Sequence, residues 1–128
     1  MLNKPAAQST SNCFPKNRRL LRHSDFDRVY KLGKRHFTSH LTAFYLLRES
    51  AAGLRVGFTV GKALGGAVER NRMKRRLREA VRLSGYSADT PVDVVINPKR
   101  SLFKAKFADV QKEIERAFQV IERAARSV

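Results

Sequence analysis

The 128-residue chain has no tryptophan, a single cysteine and few acids: 11 Asp and Glu stand against 27 Lys and Arg. Cys13 cannot close an internal disulfide, so nothing here is built for an oxidising compartment, and an inert thiol in a polar tail is the simplest reading. No apolar run approaches the ~20 residues of a membrane span. The N-terminal MLNKPAAQSTSN lacks the apolar core of a signal peptide. These absences lead us to expect a soluble cytoplasmic protein. The few acids are scattered, and His23, His36 and His40 lie in or near the basic N-terminal region. No metal-ligand cluster and no oriented general base can be composed from them, so we expect neither a catalytic side chain nor a side-chain metal site.

What is present is positive charge. The balance 27 − 11 leaves +16 at pH 7. A compact chain so charged repels itself, and the usual compensation is a polyanionic partner, with nucleic acid foremost. Hydrophobic residues make up 42%, enough for one core. Residues 1–15 read as a disordered tail, with Pro5 and Pro15 discouraging regular structure. Residues 16–128 read as one domain.

Within that domain, NRRLLRHSDFDRVYKLGKR predicts a helix with Ser24 as N-cap, Asp25 and Asp27 in the first turn, and Gly33 as stop. Phe26, Val29 and Tyr30 share one helix face. Residues 40–48 predict a strand. Residues 54–61 predict another, with Leu54, Val56, Phe58 and Val60 on one face and Arg55, Gly57 and Thr59 on the other. The short connection suggests that these two strands pair antiparallel. A helix runs from near Ala67 to Ser84-Gly85, and a third strand spans 91–97. A long C-terminal helix carries the stripe Phe107, Val110, Ile114, Ala117, Phe118, Ile121 and Ala125, best read as core. The order is α-β-β-α-β-α: an α+β two-layer sandwich, a small sheet covered by helices.

The stretch 69–82, ERNRMKRRLREAVR, holds six arginines and one lysine. On a helix, Met73, Leu77, Ala80 and Val81 gather in one arc and face the core. Asn71, Arg72, Arg75, Arg76, Arg78 and Arg82 fan over the remaining arcs, with Arg70 and Lys74 at the border. Only Glu69 and Glu79 are at hand to offset these cations. Like charges four residues apart cost ~0.2–0.5 kcal/mol per pair, so an intramolecular purpose is poorly served. Arginine in particular forks onto phosphate and stacks on bases. The helix therefore predicts a phosphate-binding face. A targeting signal does not suit a run interleaved with core residues. Phe26, Tyr30 and Phe44 are candidate stacking platforms for single-stranded RNA or DNA. Each can also be read as core, the commoner role of an aromatic at helical spacing such as Phe26, and spacing alone does not decide.

The segment LRVGFTVGKALGGAVERNRMKRRLRE, with Arg70-Asn71-Arg72 as an RNR motif, and DFDRVYKLGKR before it, resemble the protein subunit of bacterial ribonuclease P. The resemblance covers about residues 16–120. It implies a partner of a catalytic RNA in an endoribonuclease that removes the 5′ leader of precursor tRNA. It implies that the RNA holds the Mg²⁺ ions and the chemistry, with one protein per RNA. It assigns Arg70, Asn71, Arg72, Lys74, Arg75, Arg76 and Arg78 to the catalytic RNA, and Phe26, Tyr30, Phe44 and Lys62 to a leader cleft between the first helix and the sheet. It also implies a left-handed βαβ crossover. One departure stands out: Gly61-Lys62-Ala63 replaces the family's frequent Ser-Lys-Lys, so a second cation is missing. A structural RNA-binding protein of the ribosomal type is the alternative that charge and size admit.

Overall fold

The structure, a computed structural model, describes residues 23–48, 53–84 and 91–126. The expected tail, Cys13, any helical start before His23 and the Gly85 stop lie outside those residues. The elements are α1 (His23–Leu32), β1 (Lys34–Phe37), β2 (Leu41–Leu47), β3 (Arg55–Phe58), α2 (Ala67–Leu83), β4 (Val92–Pro98) and α3 (Phe107–Arg126), with 3₁₀ turns at Lys62–Leu64 and Arg100–Lys104. The α+β class and the predicted order hold. His23 is already helical, so Ser24 lies within α1 and is not its cap.

The sheet order is β1-β2-β4-β3. β1 and β2 form an antiparallel hairpin, β2 and β4 are antiparallel, and β3 and β4 are parallel. The expected antiparallel pairing of residues 40–48 with 54–61 is therefore wrong, because β4 lies between those two strands. Its sequence explains the insertion. In VDVVINP nearly every position is buried, the mark of a central strand covered on both faces, whereas β2 buries one face more deeply than the other and β3 is buried only at its two middle residues. β3, α2 and β4 make the βαβ unit to which the expected crossover belongs. Strand β1 escaped sequence reading because KRHF is charged and largely exposed, as suits an edge strand, and has no apolar alternation.

Two cores result, one on each face of the sheet. Leu41, Ala43, Tyr45, Val56, Val94 and Ile96 face α2 and α3. Met73, Leu77, Ala80 and Val81 of α2, and Val110, Ile114, Ala117, Phe118 and Ile121 of α3, close that side as their helical spacing predicts. Each large side chain so buried contributes ~1.5–3 kcal/mol. The alternate residues Phe44, Leu46 and Val95 point the other way, where α1 covers them with Phe26, Val29 and Tyr30.

Polar contacts tie the layers together. Arg55 donates from Nε and Nη2 to the two oxygens of Asp93, each at 2.9 Å. Asp25 of α1 approaches Arg55 at 3.7 Å. Arg48 Nε lies 2.9 Å from Asp93 Oδ1, an ionic contact in which the N–H does not point at the oxygen, while its Nη2 donates to the Gly53 carbonyl. Burial pulls the Arg48 guanidinium below its ordinary pKa against the opposing pull of Asp93, whereas the hydrogen bond to Asp93 raises that of Arg55. At the other end of the sheet, Glu113 of α3 accepts from the Thr38 hydroxyl and from the His40 backbone N–H, pinning the β1–β2 loop.

Candidate nucleic-acid interface

Helix α2 stands its arginines on a rigid support. Its buried arc is fully occupied by core contacts, so the remaining arc must face outward. Asn71, Arg72, Arg75 and Arg82 are exposed; Arg70, Lys74, Arg76 and Arg78 are half-buried. Arg75, Arg76, Arg78, Glu79 and Phe107 line a groove of about 340 Å³ between α2 and the start of α3. Arg82 donates from Nε to Glu79 at 2.6 Å, so the helix's main acidic relief is directed to its last turn.

The seven cations are not equivalent. Arg76 donates through Nη1 to the carbonyls of Leu102, at 2.9 Å, and Phe103, at 3.4 Å, and through Nη2 to that of Ala105. It thereby satisfies the carbonyls of the 3₁₀ turn that leads into α3. Periodicity placed Arg76 on the outward arcs; it could not reveal a turn 26 residues downstream that needs a donor. Arg70 differs again, since its Nε is buried and meets no acceptor among the described residues.

The aromatic candidates come together on the other side of the sheet. Phe26 and Tyr30, one helical turn apart on α1, meet Phe44 of β2 around the buried pair Val29 and Val95. Tyr30 and Phe44 contact edge to face, with centroids 4.8 Å apart and planes at 86°. All three remain half-buried, so they close the α1–sheet core and also border the part of the sheet that no described element covers. That uncovered part continues through Phe37, 62% exposed, with the Arg35 guanidinium 5.7 Å from its ring centre. Sequence reading missed Arg35 and Phe37 because β1 was not recognised as a strand. The register Arg35↔Phe44 and Phe37↔Thr42 puts them on the face that carries Phe44.

Lys62 is exposed in the first 3₁₀ turn, three residues beyond Thr59. It lies where the parallel strands β3 and β4 both end. There Arg100, following β4, donates to the Ala63 carbonyl at 2.7 Å, so a second cation reaches this turn although position 63 is alanine. No sequence signal links Arg100 to Ala63, because the contact exists only through the parallel pairing.

Among the described residues no group of three or more His, Cys, Asp or Glu side chains is placed to hold a metal ion. Asp93 is engaged by Arg55 and Arg48, and Asp25 by Arg55. His40 Nδ1 lies 2.8 Å from Ser101 Oγ, in the loop network that anchors α3. None of the described helices is long and apolar enough to cross a membrane.

Comparison with known proteins agrees with this architecture. The family model for ribonuclease P matches residues 14–122. A ribonuclease P protein component of Oleidesulfovibrio alaskensis is 46% identical over 87 residues, covering 66% of this chain and 68% of the relative. That of Geobacter sp. (strain M21) is 38% identical over 109 residues, covering 85% and 92%. In solved structures the fold recurs in the Staphylococcus aureus RNase P protein, with TM-score 0.70 and 24% identity over 81% of this chain and 94% of that one. It recurs also in the Thermotoga maritima RNase P protein, with TM-score 0.68 and 24% identity over 78% and 94%. With a family match spanning most of its length and a matching fold, the chain belongs to the ribonuclease P protein family.

Proposed function

We propose that this chain is the protein subunit of ribonuclease P, the endoribonuclease that hydrolytically matures the 5′ end of tRNA, and that it grips two RNAs on two different faces. The observation that carries this reading is the exposed edge of α2. Asn71, Arg72 and Arg75 project from a helix whose opposite side is locked in the core. A ladder of this kind suits the phosphates of the catalytic RNA. Lys74 and Arg78 flank the ladder. Arg76 serves the protein first, holding the 3₁₀ turn.

The α1 face would take the single-stranded 5′ leader of precursor tRNA. Phe26, Tyr30 and Phe44 offer ring surfaces at the edge of an uncovered sheet, and Lys62 stands at one end of it as a cation. The sheet and its core separate this face from the α2 ladder, so both RNAs can be held together.

The Mg²⁺ ions of the reaction would be held by the RNA. The donor chemistry of the chain supports this, since its clustered carboxylates Asp25 and Asp93 already neutralise arginines. The protein's part is binding, orientation and charge compensation. It would act in the cytoplasm, as one protein per RNA, without a membrane partner.

Reconstitution tests the reading. Purified protein is added to a bacterial ribonuclease P RNA at low Mg²⁺, and cleavage of precursor tRNA is followed. The expected result is faster cleavage than with RNA alone and none with protein alone. Cleavage unchanged by the protein, or co-purification with ribosomal RNA only, would instead indicate a structural RNA-binding role.

A further inference from the structure

The aromatic rings of the α1 face account for grip without choice, because every base has a face to stack. The polar end of the same surface has the chemistry to choose. Tyr30 Oη lies 2.9 Å from Asn97 Oδ1 and 2.9 Å from Thr59 Oγ1. A phenol carries one proton, and the amide oxygen can only accept. That proton therefore goes to Asn97 Oδ1, and the Thr59 hydroxyl donates to the phenolic oxygen. The relay fixes the Asn97 amide with its oxygen turned to Tyr30. Its Nδ2 carries two N–H groups and meets no acceptor among the described residues. Asn97 is half-buried, near the end of β4, paired in register with Thr42 and in phase with Val95 on the face that carries Phe44.

We propose that Asn97 is a specificity-determining residue that reads the edge of a leader nucleobase stacked against Phe44, and that Tyr30 decides what it reads. This inference rests on the assignment of the α1 face to the leader. With its oxygen already accepting from Tyr30, the outward character of the amide is that of a donor. Bases with a keto oxygen on the exposed edge, guanine through O6 and uracil through O4, satisfy it. Adenine and cytosine present an amino group at the same place and leave two donors facing each other.

The test uses reconstituted holoenzyme and precursor tRNAs carrying each of the four nucleotides in turn at the leader positions nearest the cleavage site. Guanine and uracil should bind more tightly than adenine and cytosine at one position, by roughly 3- to 10-fold, the range of one hydrogen bond. Asn97→Ala should flatten that preference. Tyr30→Phe, which keeps the ring and frees the amide oxygen to accept from amino bases, should narrow it, and this variant still reports if Asn97→Ala fails to fold. A flat wild-type profile, or one that neither substitution moves, overturns the proposal. The underlying assignment is checked separately with Phe44→Ala. If that holoenzyme retains the full wild-type preference for leadered over leaderless RNA, the cleft reading itself fails, whatever Asn97 does.

Discussion

Arg55 and Asp93 face each other in register on the parallel strands β3 and β4, joined by two hydrogen bonds of 2.9 Å, with Asp93 only 2% exposed. Around them, Arg48 supplies a second cation and Asp25 a second carboxylate, so the first turn of α1 is tied to the sheet by charge as well as by Val29. Removing Asp93 would leave two guanidinium groups facing each other, Arg48 nearly buried and Arg55 partly so.

Asp93→Ala should accordingly destabilise the fold by about 3–5 kcal/mol, the usual consequence of breaking a buried pair from one side. Denaturant unfolding monitors it. Breaking the exposed Arg82–Glu79 pair by Arg82→Ala should change stability by no more than ~0.5 kcal/mol in the same measurement. Similar losses from both variants would show that the network around Asp93 is not a structural tie.

Arg76 and its neighbours should separate by readout. Arg72→Ala and Arg75→Ala should leave the melting temperature near wild type. Each should lower the slope of log affinity for the catalytic RNA against log salt by about one. Arg76→Ala should do the reverse, costing about 1–3 kcal/mol of stability as the carbonyls of Phe103 and Ala105 lose the Arg76 donor and that of Leu102 keeps only the Ala105 N–H. An Arg76 variant with wild-type stability and a shallower salt slope would place that side chain on RNA after all.

Phe26→Ala should weaken binding of precursor tRNA more than that of mature tRNA, by about 1–3 kcal/mol if a base stacks there. Since Phe26 also packs against Val29 and Val95, unfolding is measured in parallel. Equal losses for both RNAs, together with a lower melting temperature, would assign the ring to the core alone.

Gly33 marks the tightest junction between α1 and the sheet. A Cβ there would lie 2.5 Å from the Val29 carbonyl oxygen and 2.6 Å from that of Tyr45, and backbone cannot step aside as a side chain can. Gly33→Ala should cost about 1–3 kcal/mol, the scale of overpacking, and reduce leader binding by shifting Tyr30. Retention of wild-type unfolding would mean that α1 slides freely on the sheet.

Much of this protein was legible in one dimension. Helical spacing alone picked out Met73, Leu77, Ala80 and Val81 as the buried arc of α2, and the five deepest residues of α3, because amphipathic periodicity is a local property. Alternation assigned Leu54, Val56 and Val60 to one face of their strand for the same reason. The excess of arginine over any local acid points to a polyanionic partner from the sequence alone, since uncompensated charge needs no geometry to be noticed. Tertiary structure decided the rest. The place of β4 between β2 and β3, the existence of β1, the engagement of Arg76 with a turn 26 residues away and the meeting of Tyr30 with Asn97 across 67 residues all depend on which segments become neighbours. Strand order and long-range hydrogen bonds are settled by burying both faces of one sheet at once, a competition among distant segments that leaves no periodic trace in the chain.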